Sequence, residues 1–178
     1  MTSTKLNIIE PKSSLGEAQG VLNADRLIRE LGFEARRISL KDPSMKYRLS
    51  MTGQVLKNLG VVTVSPNLYV DDSAGPLESI QVFMPLKGKL SHWYDNKIFD
   101  AIPGQGLIFS PGQRVNLRWS PESKALVVHI SADAVSAYIE QHVHSPIGIP
   151  LTFDNPYLSS ISHSWLTVVE GLCEEIDS

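Results

Sequence analysis

The sequence predicts a mainly β protein with flanking helices: a small jelly-roll-like barrel followed by a helical C-terminal region. Three observations predict it. Between about Phe33 and Ile130, short apolar runs alternate with turn residues at a spacing of about 8–12 residues, as sandwiches and barrels require. After Ile130 the apolar period changes from two to steps of three and four. The 178 residues, 42% apolar and 20% charged, suffice for one sizeable core.

Three regions are expected to pack as one structural domain: an arm and short helix over 1–32, the barrel over 33–130 and helices over 131–178. Residues 1–20 are polar and punctuated by Gly and Ser, so little order is expected there. Asn23 or Asp25 can cap a short helix whose apolar face is Leu27, Ile28 and Leu31, and Gly32 stops it. That helix suits the rim of a larger body.

The barrel strands are expected at Ala35–Leu40, Tyr47–Thr52, Val61–Ser65, Asn67–Val70, Ile80–Leu86, Lys89–Tyr94, Lys97–Ile102, Leu107–Ser110, Val115–Trp119 and Leu126–Ile130. Asp95-Asn96 reads as a two-residue hairpin, since both residue types tolerate positive φ. Ser131 can cap a helix over Ala132–Val143. Pro146, Gly148 and Pro150 mark turns around a short strand at Leu151–Phe153. A longer helix is expected from about Pro156, with Leu158, Ile161, Trp165, Val168, Val169, Leu172 and Ile176 as its apolar stripe. A stripe that runs to the last residues without a cap is expected to continue beyond them.

Composition narrows the function. The net charge is −3, but it is divided: the last basic residue is Lys124, and the following 54 residues carry seven acids and no Lys or Arg. Residues 1–124 hold sixteen bases against twelve acids. Reading a phosphate backbone needs several cations on one face, so the last third is no nucleic-acid reader. A transmembrane span is not expected, since no run of about 18 apolar residues occurs. The segment MTSTKLNIIEPKSS lacks the apolar run of a secretory signal, and Cys173 alone fits a reducing compartment, so a cytoplasmic location is expected.

Few motifs carry chemistry. PGQGLIFSPGQRVNLRWS (103–120) is a turn, a buried strand, a second turn and an alternating strand; no helix follows its glycines, so it is a poor phosphate loop. His142-x-His144 lies at a helix end without a third ligand, and Cys173 has acidic neighbours that disfavour a thiolate. Asp71-Asp72 reads as a solvated turn, and Arg114 or Arg118 as solvent-facing or a carboxylate clamp.

The strand between two Gly-containing turns resembles the second signature of the cupin barrel. The metal-binding His of that signature is replaced by Val115, and the preceding HxH pair is reduced to His92, so no metal is expected. The order of ARRISL, MPLKG (84–88), FSP (109–111), RWS (118–120), PLTF and a Trp-bearing helix is similar to the effector-binding and dimerisation region of AraC/XylS-type transcription regulators. The resemblance covers about Phe33 to Ile176. It implies a homodimer formed through the helices, a small organic effector in the barrel, no cofactor and no catalysis. It also implies DNA contact through helix-turn-helix units that this chain lacks.

Strand alternation then selects candidate residues. Val115 at the cupin ligand position turns Leu117 and Trp119 inward with it, and Leu90, His92 and Tyr94 are the expected interior set on their strand. With Tyr69 and Phe83 these residues would line a cavity for an aromatic or carboxylate-bearing effector, with His92, Tyr94 and Tyr69 as polar handles. They equally suit a filled core, and both readings stand at this point. Leu158, Ile161, Trp165, Val168 and Leu172 are the candidate dimer face. The competing classes are a cupin-type isomerase or oxygenase using His92 and His129, and a stand-alone small-molecule binding protein.

Overall fold

The computed structural model describes residues 10–34, 36–143 and 151–176. Arm residues 1–9, the expected strand start Ala35, His144, the turn signals Pro146, Gly148 and Pro150, and Asp177 lie outside the described residues.

Among the described residues, twelve strands form two antiparallel sheets. One sheet joins β1 (Ser14–Gln19), β3 (Arg48–Val55), β4 (Leu59–Pro66), β11 (Lys124–Ser131), β6 (Ser79–Lys87), β9 (Gly106–Phe109) and β12 (Tyr157–Leu158), in that order. The other joins β2 (Arg36–Leu40), β5 (Val70–Ala74), β10 (Val115–Trp119), β7 (Leu90–Tyr94) and β8 (Lys97–Ala101). The helices are α1 (Val21–Glu30), α2 (Ala132–Val143) and α3 (His163–Ile176). The mainly β, jelly-roll-like expectation holds, and among the described residues the two sheets form a sandwich rather than a closed barrel.

Their inner faces share one core. Val62, Phe83 and Val127 of the larger sheet pack with Leu90, Val115, Leu117 and Trp119 of the smaller one. Each such side chain contributes about 1.5–3 kcal/mol by leaving water. The central strand β6 is buried on both faces. Its Gln81 and Phe83 lie with the sandwich interior, while Val82 and Met84 lie in a second cluster with Val61, Leu126, Val128, Val169 and Cys173. That second cluster is the outer face of the sheet covered by α3. Among the described residues no helix lies across the outer face of the smaller sheet, which α1 meets only at its β2 border.

Local chemistry accounts for the helix ends. Gly32 adopts φ +81° and, with Phe33, returns N–H groups to the carbonyls of Arg29 and Ile28, closing α1 as a Schellman turn. Its start differs from the expectation: Gly20, rather than Asn23 or Asp25, precedes the first turn. The Asp95-Asn96 turn has φ 48° and 60°, the two positive values that a type I′ hairpin demands. The Ser131 hydroxyl accepts the Ala134 N–H and caps α2.

Several further expectations are corrected. Order begins earlier than residue 20, because Ser14–Gln19 pairs with β3 and supplies that sheet's edge. Asp71-Asp72 is no solvated turn: both residues lie in strand β5, which replaces the expected strand at Asn67–Val70. The last helix begins at His163 rather than Pro156, because Tyr157–Leu158 first pairs with β9 and Ile161 donates to the Gly104 carbonyl. The backbone groups of that stretch are therefore committed outside a helix. No strand forms at Leu151–Phe153.

Candidate functional site

The interior between the sheets is the candidate site, and α1 lies over one end of it. This helix rests on β1, β2 and β3, with Ala24 fully buried and Leu27 and Ile28 packed on the core. The rim position expected of it is the one it takes.

Phe83, His92, Leu117 and Trp119 are gathered in this interior and buried. Phe83 meets Phe109 and Trp119 edge to face at 5.7 and 6.3 Å, and His92 meets Phe109 edge to face at 4.8 Å. The His92 Nδ1–H donates to the Asn116 carbonyl at 2.9 Å, and burial holds its pKa below the usual histidine value. These rings interlock and leave little space between them, so the side chains of this interior largely fill it.

Two of the expected interior residues lie elsewhere. Tyr94 is 55% exposed, because it ends β7 at the hairpin where the opposite sheet no longer covers the strand. Tyr69 sits before β5 with the Arg118 guanidinium 5.1 Å from its ring. Arg118 points outward, pairs with Asp71 through two hydrogen bonds of 2.6 and 3.0 Å, and covers Trp93 at 4.2 Å. Of its two readings, the solvent-facing arginine is the one this geometry fits, with Asp71 of the neighbouring strand as its partner.

The sequence reading missed a buried polar chain under α1. Arg36 donates to Asp72 at 3.2 Å and to Gln81 Oε1 at 2.8 Å. Gln81 donates onward to Glu34 at 2.7 Å, and Glu34 also accepts from Ser79 and the Glu78 N–H. Burial pushes Glu34 upward, but hydrogen bonds from the backbone N–H groups of Glu78 and of Glu34 itself, with the charges of Arg36 and His129, outweigh it and hold the carboxyl below its ordinary range. For Asp72 burial dominates and raises the pKa against the pull of Arg36 and the Trp119 indole. The available signal was alternation. Arg36, Ile38 and Leu40 share one face of β2, and Val70, Asp72 and Ala74 share one face of β5, so each strand carries one ion among apolar neighbours.

A cavity of about 40 Å³ remains beside this chain, between Ile28 of α1 and the side chains of Arg36, Asp72, Phe83 and Trp119. Asp72 Oδ1 is buried there without a well-formed hydrogen bond, the Trp119 indole N–H being near enough to pull on the carboxylate but not aligned as a donor. A buried acceptor left unsatisfied costs about 1–3 kcal/mol, so the site is polarised toward a donor.

His129 takes no part with His92. It lies against Phe33 at 5.4 Å, edge to face, at the Glu34 end of the interior. Among the described residues, no group of three His, Cys, Asp or Glu side chains is placed to hold a metal ion.

The expected dimer residues mostly face inward. Leu158, Ile161, Trp165 and Leu172 pack against the outer face of the larger sheet, and the Trp165 indole N–H points at Met84 Sδ at 3.2 Å. The central sheet strands are apolar on that side and need a cover, which α3 supplies. Val168 alone of the five is exposed, at 56%. By contrast α2 has no buried residue, and its Tyr138 and Val143 are exposed. Among the described residues no helix is long and apolar enough to cross a membrane.

The model of the AraC-binding-like domain matches residues 26–178, and the chain belongs to that family. Among solved structures it is similar to the AraC-like transcriptional activator CuxR, at 11% identity and a TM-score of 0.56, over 92% of this chain and 68% of that one. The Schizosaccharomyces pombe Cnp3 cupin domain is a further neighbour, at 11% identity and a TM-score of 0.43, over 59% of this chain and 88% of that one. A search of curated proteins finds no match.

Proposed function

We propose that this chain is the effector-sensing and dimerisation domain of an AraC-type transcription regulator, acting in the cytoplasm without metal or catalysis. The observation that carries the reading is the unpartnered Asp72 Oδ1 beside the cavity under α1. A buried ion pair with one free acceptor is costly for stability alone and suits a ligand that brings a hydroxyl or amine donor. The present volume holds little more than one water, whose share of liquid is about 30 Å³. The effector therefore enters as α1 shifts, and Phe83, Leu117 and Trp119 form the apolar floor with His92 behind them. Such a ligand controls the protein only through different affinity for the two positions of α1.

Dimerisation is assigned to the exposed sides of α2 and α3, with Tyr138, Val143 and Val168 as anchors. Leu158, Ile161, Trp165 and Leu172 support that face from beneath. DNA contact falls to helix-turn-helix units outside these 178 residues. Native mass spectrometry of the untagged protein tests the reading. A dimer carrying one organic adduct per chain is expected, whereas stoichiometric metal would favour a cupin enzyme and overturn it.

A further inference from the structure

Outside the sandwich interior, the outward faces of β2, β5 and β10 meet α1 in a half-open groove of about 610 Å³. Strand register determines its lining. Arg37 lies opposite Ser73, and Ser73 lies opposite Asn116, so the three form one rung across the sheet. Arg114, in the loop just before β10, borders the same groove. Arg29 borders the groove from the last turn of α1.

The charges in this groove do not cancel. Arg36 is held inside by Asp72, and Arg29 is paired with Asp25. Arg37 and Arg114 are exposed, and among the described residues neither has a carboxylate partner within salt-bridge distance. Two free guanidiniums, an amide and a hydroxyl thus share one concave surface in a chain of net charge −3. Guanidinium forks bind carboxylate or phosphate oxygens in pairs, and the volume is that of a small-molecule pocket.

We propose that this groove is a second binding site, separate from the interior cavity, for a small organic anion bearing carboxylate or phosphate groups. Arg37 and Arg114 hold the anion, with Asn116 and Ser73 as neutral donors. The site also reaches the joint between α1 and the sheet. Asp25, the partner of Arg29, accepts the backbone N–H of Arg36 at 3.1 Å. An anion that draws Arg29 away from Asp25 changes how α1 is fastened to β2, directly above the buried Arg36–Asp72 pair.

Calorimetric titration with citrate and with pyrophosphate, at constant ionic strength, tests the site. At least one of the two is expected to bind, and the one that does identifies the anion class. Arg37→Gln with Arg114→Gln should weaken that binding at least tenfold, while Arg48→Gln, an exposed arginine in a different groove, should leave it unchanged. Circular dichroism melting checks that each variant folds. Absence of binding by both anions, or equal weakening by Arg48→Gln, overturns the proposal. The interior cavity is untouched by these substitutions, so failure here is distinct from failure of the effector reading.

Discussion

Arg36 and Asp72 face each other across 3.2 Å with side chains only 6% and 10% exposed, one on β2 and the other on the neighbouring β5. Removing either partner strands a buried charge. Arg36→Ala or Asp72→Ala is expected to cost about 3–5 kcal/mol, read as a lower urea midpoint. Replacing both, Arg36→Met with Asp72→Leu, should recover most of the loss. A double variant as unstable as the single ones would show that Gln81 and Trp119, rather than the pair, hold this part of the core.

Stability should fall as pH is lowered below about 6.5. Burial depresses both His92 and His129, against the weaker opposing pull of the Asn116 carbonyl and the Glu34 carboxylate. A depressed histidine binds its proton less readily folded than unfolded. Its contribution is therefore complete above the unfolded value and is lost as pH drops toward the folded one, with a slope of up to about 1.4 kcal/mol per pH unit for each group. Urea unfolding at pH 5.5 and 7.5 measures it, and His92→Phe should flatten the difference.

The two sides of α3 should respond differently. Trp165→Ala removes packing on Met84 and the larger sheet and should lower the melting temperature, leaving any dimer intact. Val168→Asp, on the exposed side, should leave the melting temperature of the isolated chain unchanged and shift sedimentation toward monomer. Tyr138→Glu on α2 should do the same. A wild-type protein that sediments as a monomer at high concentration would overturn the dimer assignment.

Much of this architecture was legible in the sequence, for identifiable reasons. Val115–Trp119 alternates strictly because one face meets the core and the other meets water, so period alone places it. The Asp95-Asn96 hairpin and the Gly32 stop are local backbone chemistry and need no tertiary information. Tyr157–Leu158 misled because its apolar residues continue the spacing of α3, while its backbone pairs with β9, a contact about 50 residues away in sequence. Asp72 misled for the opposite reason: Asp-Asp before Ser and Gly looks like a turn, and only the partner on β2 makes its burial tolerable. The candidate site was half legible. The aromatic interior followed from alternation, whereas the polar chain from Arg36 to Glu34 joins three strands or strand ends that only the folded sheets bring together.

Gly53 is expected to resist substitution. Its φ is +134°, and an added Cβ would lie 2.0 Å from the Val61 carbonyl oxygen. Gly53→Ala should cost about 1–3 kcal/mol in backbone conformation alone, with the clash between β3 and β4 added. A variant with an unchanged urea midpoint would show that the two strands separate here at no cost.

Equilibrium dialysis against the small-molecule fraction of a cell extract, followed by mass spectrometry of what the protein retains, tests the sensing role most directly. The wild type should concentrate one organic compound bearing a hydroxyl or amine, at about one per chain. Val64→Leu, which fills the cavity beside Asp72, and Asp72→Leu, which removes the acceptor, should both release it. Retention of no compound by the folded wild type, or of the same compound at equal level by folded Val64→Leu, would contradict an effector site beneath α1.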